Sequence, residues 1–554
     1  MLANDKLLNF KNLVKDFSKD EIIWTNGYLA GLLASTNHES ELLPSLPVGK
    51  PIKPTIIYGT ETGNAKKLAS QLQSLLKKNK IQSKAIDAFQ YPIEKIDKEE
   101  FIILIVSTQG DGDLPQNAQK FYDNLINQDL KLASTKFAVL GLGDTSYPFF
   151  CKSGEDIDAL FERLGANRVL PLVKADVDYH DTAENWFNEI LNQVKNASSS
   201  TSIQSQSKAV APTQKKNFQG IVKHKVILND RGSHKETYHI EIALDEEVPY
   251  EPGDALGLYP KNNKAEILAI ATLFGAENKA DELETKNIRA LSKKSIQQFA
   301  DLFQVEILED KIDLLDLLKK YKPADSAVSF DEIVANLHSI APRLYSISSS
   351  NEAHEGEIHL TVNLNTFKVD EVNKTGLCSK FLADFELNEP IEFYIHKNRN
   401  FKLPAEDASV IMIGPGTGIA PFRSFLAHRD ATGSEGRNWL FFGEQYFVSD
   451  FYYQTEIQEW ISTGVLEKLD TAFSRDQKEK VYVQHRLKEK AKEVYQWLND
   501  GAYLYVCGQK DGMSTDVEQT LIEIIANENN FDLDSAKKYL EKLEEEGRYQ
   551  KDVY

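Results

Sequence analysis

The sequence predicts a multidomain α/β protein, in which two doubly wound domains flank an antiparallel β-barrel that carries a helical insertion. Three observations lead there. Over residues 54–195 the apolar runs "PTIIYGT", "EFIILIVST" and "KFAVLGLGD" are each followed by a helix-like stretch. Next comes "NASSSTSIQSQSKAVAPTQKK" (196–216), rich in Ser, Gln and Thr and without an acidic residue, which reads as a flexible linker. From 403 onward the alternation returns, with "ASVIMIGPGTG", "NWLFFGE" and "AYLYVCGQ". Unbroken apolar runs bounded by helices are the mark of parallel strands covered on both faces.

The elements follow in chain order. Residues 1–53 form an N-terminal segment whose "SKDEIIWTNGYLAGLL" is either an assembly element or an amphipathic helix packed on the next domain. Residues 54–195 make the first doubly wound domain. In 217–402, "FQGIVKHKVILND", "ETYHIEIALD" and "GDALGLYP" read as barrel strands; residues about 262–338 turn helical, and strands resume with "RLYSISSS", "EIHLTVNLN" and "EPIEFYIHK". The helical block therefore interrupts the barrel. Residues 403–554 form the second doubly wound domain.

Composition narrows the function. A chain of 554 residues exceeds one domain. Its formal charge of -20 disfavours nucleic acid and anionic membrane surfaces and suits docking on a basic protein. The three cysteines, Cys151, Cys378 and Cys507, are scattered, with no C-x-x-C pair. No metal site is expected from them, and a reducing, cytoplasmic setting is. The start "MLANDKLLNF" lacks a signal-peptide pattern, and "GYLAGLLA" is too short to span a bilayer.

Seven motifs carry chemistry. "YGTETGNA" lies between a strand and a helix, so Thr60, Glu61, Thr62, Gly63, Asn64 and Ala65 can close around an anion at the helix's positive end. It lacks the lysine of a triphosphate loop. At the same sheet edge lie "STQG" (Ser107, Thr108, Gln109, Gly110) and "LGDTSYPFFC". The latter comprises Leu142, Gly143, Asp144, Thr145, Ser146, Tyr147, Pro148, Phe149, Phe150 and Cys151, with Tyr147 suited to stacking on a flat ring. On "PRLYSISSS", alternation puts Arg343, Tyr345 and Ile347 on one face and Leu344, Ser346 and Ser348 on the other. Arg343 can pair with phosphate. In "TGLCSKFLAD", Gly376, Leu377, Cys378 and Ser379 open a helix fit for a pyrophosphate. Finally, "IMIGPGTGIAPFRSFL" holds Gly416 and Thr417 in a glycine-rich turn. "FSRDQKEKVYVQ" offers Ser474, Arg475 and Lys480 to a 2′-phosphate and Tyr482 to an adenine.

The first three loops resemble those of flavodoxin-like FMN domains. The remaining motifs resemble the FAD and NADPH sites of the ferredoxin–NADP reductase family. In order and spacing, residues 54–554 are similar to the diflavin reductases, in particular the flavoprotein subunits of NADPH-dependent sulfite reductase. "STQG", "SRDQKEKVYVQ" and the ending "RYQKDVY" carry that closer likeness. The resemblance implies FMN, FAD and NADPH as cofactors. It assigns cofactor contacts to the motif residues above other than Ile347 and Ser348, Leu344 included. It adds Thr361, Val362 and Asn363 on "EIHLTVNLN", then Val481, Val483 and Gln484, and Asp516.

The resemblance also makes Ser346, Cys507 and Asp552 the catalytic residues beside the flavin, with the terminal Tyr554 on the flavin face. It implies that FAD takes a hydride from NADPH and that FMN passes single electrons to a separate siroheme/iron–sulfur subunit reducing sulfite to sulfide. The alternative is a diflavin donor to another haem or metal acceptor protein. Homo-oligomer formation is left open. Gln509, Phe367 and the pair Leu377–Cys378 depart from the family pattern.

Overall fold

The computed structural model describes residues 52–60, 63–109, 112–127, 130–145, 149–176, 179–198, 216–309, 311–323, 327–369 and 372–554. Nearly all of the N-terminal segment and the linker therefore lies outside the described residues, as do Glu61, Thr62, Gly110, Ser146, Tyr147 and Pro148.

The first sheet consists of β1 (Thr55–Gly59), β2 (Lys84–Asp87), β3 (Phe101–Ser107), β4 (Lys136–Leu142), β5 (Asn167–Arg168) and β6 (Val173–Ala175). Its order is β2-β1-β3-β4-β5, with β6 also on β4, and every pairing is parallel. Phe101 to Ile105 on β3 and Phe137 to Leu140 on β4 are buried on both faces, which explains the unbroken apolar runs. The helices that cover them bury one stripe each. In Asn64–Lys78 the stripe is Leu68, Leu72 and Leu76, spaced four apart. That helix begins at Gly63, whose φ of 89° is one that residues with a side chain rarely adopt.

The second sheet is antiparallel: β7 (Asn217–Ile227), β8 (Thr237–Leu244), β9 (Ala255–Leu258), β10 (Arg343–Ser346), β11 (Glu357–Asn363) and β14 (Pro390–His396). The hairpin β12 (Thr366–Val369) and β13 (Val372–Thr375) stands apart from it. The sheet runs β10-β9-β14-β7-β8-β11, and its two end strands meet through the bridge Ile347–Leu360, so the ladder curls back on itself. Helices between Lys264 and Ala335 form their own core around Ile270, Leu283, Phe299 and Leu314. Because β9 and β10 pair directly, with Leu258 opposite Arg343, this helical block leaves and rejoins the sheet at one edge.

The third sheet is parallel, in the order β17-β16-β15-β18-β19. Its strands are β15 (Val410–Ile413), β16 (Asn438–Glu444), β17 (Lys468–Phe473), β18 (Tyr503–Gly508) and β19 (Tyr549–Val553). Ile411 and Phe441 pack into one side and Met412 and Phe442 into the other, as a two-sided sheet requires. Placing β19 on the edge turns the last residues of the chain into a strand, with Cys507 opposite Asp552. Among the described residues no helix is long and apolar enough to cross a membrane.

Candidate active site

Three strands from two sheets deliver Ser346, Cys507 and Asp552 to one point. The Ser346 hydroxyl donates to Asp552 Oδ2 at 2.9 Å, across 206 residues of sequence. Cys507 Sγ lies 4.0 Å from the same oxygen, because β18 and β19 are in register there. Burial pushes the Asp552 carboxyl above the ordinary carboxylate range, and the Ser346 hydrogen bond offsets part of that rise. Burial likewise raises the Cys507 thiol, so it stays protonated.

Beside this cluster the chain ends. The Tyr554 amide donates to the Gly508 carbonyl at 3.1 Å, and the Lys510 amide donates to the Tyr554 carbonyl at 2.9 Å. The phenol sits 2.8 Å from Thr417 Oγ1. Its hydroxyl end is enclosed, which raises the phenol pKa, while the residue as a whole is 62% exposed. The ring is thus tied down without being packed into a core, and it leaves an open aromatic surface next to Asp552.

The glycine-rich turn after β15 lies against this cluster. A Cβ on Gly418 would sit 2.2 Å from the Cys507 carbonyl oxygen, so only glycine allows the turn to approach β18. Gly416 takes a φ of +60° over the buried Glu444 carboxylate. Ser474 is buried with its hydroxyl and amide both on the Glu444 carbonyl, whereas Arg475 and Lys480 are exposed. Tyr482, 42% exposed, stacks on His485. Gln484 donates to Asp516 at 3.2 Å. Val481 and Val483 pack on the sheet core and hold the segment in place. Two exposed cations beside an exposed ring fit a phosphorylated ribose carrying adenine.

At the antiparallel sheet, the Tyr345 phenol hydrogen-bonds the Cys378 thiol at the start of the helix Leu377–Asp384. Burial carries that thiol up to about 11. No side chain caps this helix at Gly376, where a Cβ would press on the Ser379 hydroxyl at 3.0 Å. An uncapped helix start with a cation nearby fits a pyrophosphate. Arg343 and Leu344 are both exposed, because β10 is an end strand. Thr361 bonds the Tyr453 hydroxyl, Val362 is core, and Asn363 accepts from Thr237.

In the first sheet the Thr60 hydroxyl accepts from the Gly63 amide at 2.9 Å, with Asn64 half-buried and Ala65 fully buried behind it. Here too the helix start has no side-chain cap, which fits a terminal phosphate. Ser107 ends β3, and just beyond it Thr108 Oγ1 accepts from the Ser153 amide. Gln109 bridges to Asp113. Leu142, the last residue of β4, is buried, and Gly143 allows the Cys151 amide to come within 2.7 Å of its would-be Cβ. Asp144 and Phe150 are half-buried. Thr145 is held by Asp176 through amide and hydroxyl. Cys151 is buried with its thiol pushed up to about 12. Phe149 meets the His338 ring at 4.8 Å and the Lys294 ammonium at 4.4 Å.

Several residues that shape these sites carry no sequence signal of their own. Asn117 accepts from the Thr60 amide, and Asn398 donates to Asp552 Oδ1 at 3.4 Å. Glu444 was more legible, as an acid at the carboxyl end of a parallel strand, where such folds bind ligands. Among the described residues, His239, Glu241 and His359 bring metal-ligand atoms within 4.8 Å of one another. Arg423 donates to His359 Nδ1 there at 3.1 Å, so a guanidinium already fills the cationic position.

Comparison with known proteins agrees with this arrangement. Residues 56–189 match the flavodoxin family model, 280–381 the FAD binding domain model, and 412–519 the oxidoreductase NAD-binding domain model. The chain is 38% identical to the sulfite reductase [NADPH] flavoprotein alpha-component of Zymomonas mobilis, over 100% of this chain and 98% of that protein. It is 36% identical to the Bacillus subtilis protein of the same name, over 99% and 98%. With the Vibrio cholerae protein of that name it shares 37%, over 100% and 96%. Full-length similarity with the three domains in the same order places the chain in the family of sulfite reductase [NADPH] flavoprotein alpha-components, NADPH-dependent oxidoreductases with FMN, FAD and NADP domains.

Proposed function

We propose that this chain delivers electrons from NADPH to a separate siroheme/iron–sulfur subunit, which reduces sulfite to sulfide. The observation that carries the reading is the convergence of Ser346, Cys507 and Asp552 beside the tethered, open ring of Tyr554. Bound FAD supplies hydride acceptance, and bound FMN supplies release of electrons one at a time. The protein's own groups do the rest. Loss of a hydride leaves the NADPH nicotinamide cationic, and an ionised Asp552 favours that charge. Ser346 holds the carboxylate in place through its hydroxyl. The Tyr554 ring covers the place the nicotinamide needs and moves aside for it; stacking is worth only about 1 kcal/mol beyond burial, so the gate is reversible.

Arg475 and Lys480 select the 2′-phosphate, with Ser474 and Tyr482 framing it. The loops at Thr60–Ala65, Ser107–Gly110 and Leu142–Cys151 hold FMN. Arg343, Tyr345 and Gly376–Ser379 hold FAD. Cys151, Cys378 and Cys507 are the chain's three cysteines, each buried in a different domain's core, where they do not make the four-thiolate set of an iron–sulfur cluster. The sulfite chemistry is therefore assigned to a partner. The test is sulfite-dependent NADPH oxidation by the tagged chain isolated gently with its partners. Sulfide formation with a siroheme absorption band is expected. NADPH oxidation that ignores sulfite but reduces cytochrome c would overturn the acceptor and leave the diflavin chemistry.

A further inference from the structure

The segment Lys397–Lys402, "KNRNFK", follows β14 and touches all three sheets' domains. Its backbone is fixed at Phe401, which is fully buried and whose carbonyl oxygen lies 1.9 Å from the position a Cβ on Gly253 would take. Asp254, itself fully buried, anchors it further. Its carboxylate accepts from the Asn398 amide at 3.0 Å and from Lys402 Nζ at 2.5 Å, and pairs with Lys397 at 3.2 Å. From this rigid base the two asparagines reach opposite ways. Asn398 donates from Nδ2 to Asp552 Oδ1 at 3.4 Å. Asn400 accepts from Lys67 Nζ at 2.9 Å and donates to the Tyr179 hydroxyl at 3.1 Å. Lys67 lies on the helix that opens at the Thr60–Gly63 loop, and Tyr179 is buried at the start of the helix Tyr179–Ser198. The two asparagines are themselves linked, the Asn400 backbone N–H donating to Asn398 Oδ1 at 3.3 Å.

We propose that Lys397–Lys402 couples docking of the flavodoxin-like domain to the hydride site: Asn400 receives Lys67 and Tyr179, and Asn398 is a positioning residue for the Asp552 carboxylate. The proposal rests on the role given above to Asp552. When the flavodoxin-like domain is docked, Lys67 and Tyr179 hold Asn400 from both ends of its amide, and the Asn400–Asn398 bond passes that order to the donor on Asp552. When it departs, Asn400 loses both side-chain partners, and the Asn398 side chain, still anchored through its backbone amide on Asp254, is held less firmly against Asp552. The other titratable groups facing Asp552 are the Cys507 thiol and the Tyr554 phenol, both neutral in the physiological range because burial raises them. Lys397 and Lys402 are engaged by Asp254.

The test uses the full-length flavin-loaded protein and two readouts: the pH profile of anaerobic flavin reduction by NADPH, and amide hydrogen exchange without NADPH. A donor to a carboxylate stabilises its ionised form, so Asn398→Ala is expected to move the acid limb up by about half a pH unit, roughly a threefold change in the ionisation constant. Lys67→Ala and Asn400→Ala, which touch no atom of Asp552, are expected to move the limb the same way by less, and Lys67→Arg to restore it. Both alanine variants are expected to speed exchange at residues 396–402 and 549–554. An unmoved limb in Asn398→Ala, or wild-type limb and exchange in both Lys67→Ala and Asn400→Ala, would overturn the coupling. An Asp552→Asn variant that keeps the wild-type rate and limb would instead strike down the role of Asp552, with exchange still reporting on the contact.

Discussion

At the scale of single residues, the proposed hydride site turns on the half-buried Asp552 carboxyl. Burial moves its pKa upward, Ser346 counteracts, and the sign of the pH effect follows. As pH falls through this raised pKa the carboxylate takes a proton and stops favouring the nicotinamide cation. Flavin reduction by NADPH should therefore show an acid limb above the ordinary aspartate value of ~3.9. In Asp552→Asn the limb should vanish and the plateau fall by about 10²-fold, the size of one preorganised electrostatic group. Stopped-flow traces from the ordinary aspartate pKa upward decide this, and a limb that persists in the variant assigns it to another group. None of this was readable locally. Ser346 and Asp552 are 206 residues apart, and no spacing or periodicity connects them. Family resemblance pointed to both; the bond between them required the fold.

At the scale of elements, the sequence was informative wherever burial imposed a pattern. Two-sided burial wrote the apolar runs of β3, β4, β15 and β16, and the stripe Leu68, Leu72, Leu76 wrote its helix. What stayed hidden was set by close approach between elements. In the glycine-rich turn, Gly416 and Gly418 look equivalent as letters, but their surroundings differ. A Cβ on Gly416 meets nothing nearer than Glu444 Oε1 at 3.6 Å, and its cost is the strain of a φ of +60°. A Cβ on Gly418 meets the Cys507 carbonyl carbon at 2.8 Å and its oxygen at 2.2 Å, so β18 itself must shift. Gly416→Ala should cost about 1 kcal/mol in unfolding free energy. Gly418→Ala should cost about 3 kcal/mol, as overpacking against backbone does, and should also slow flavin reduction by displacing Cys507 and β19. Thermal unfolding and single-turnover rates on both variants make the comparison, and equal losses would refute the distinction.

At the scale of the whole molecule, the antiparallel sheet and the third sheet's domain are joined by a buried polar contact. Arg423, on the helix Ile419–Thr432, grips Glu456 with two bonds of 2.6 and 2.7 Å and donates to the Ser348 carbonyl at 2.8 Å. It also donates to His359 Nδ1 at 3.1 Å, while His239 Nδ1 lies 3.0 Å from the Tyr453 hydroxyl. Burial first, and the Arg423 charge second, hold His239 down at about 4 and His359 at about 2. Above an unfolded histidine's pKa of ~6.5 both states keep these rings neutral, and they add no pH dependence. Below it the unfolded chain takes up protons that the folded one refuses, so stability drains away as pH falls. Each histidine contributes up to about 1.4 kcal/mol per pH unit, and His239 levels off once pH reaches its folded value. Urea unfolding of the full chain should therefore show stability falling between pH 6.5 and pH 5 more steeply in the wild type than in His359→Asn, which lacks one of these groups, while His354, lowered by the same two causes, is present in both. Arg423→Met should raise both histidine pKa values and flatten that slope, while losing about 3 kcal/mol at pH 7.5 because Glu456 and the Ser348 carbonyl are left without their partner. An unchanged slope in His359→Asn would mean that the pH sensitivity lies outside this joint.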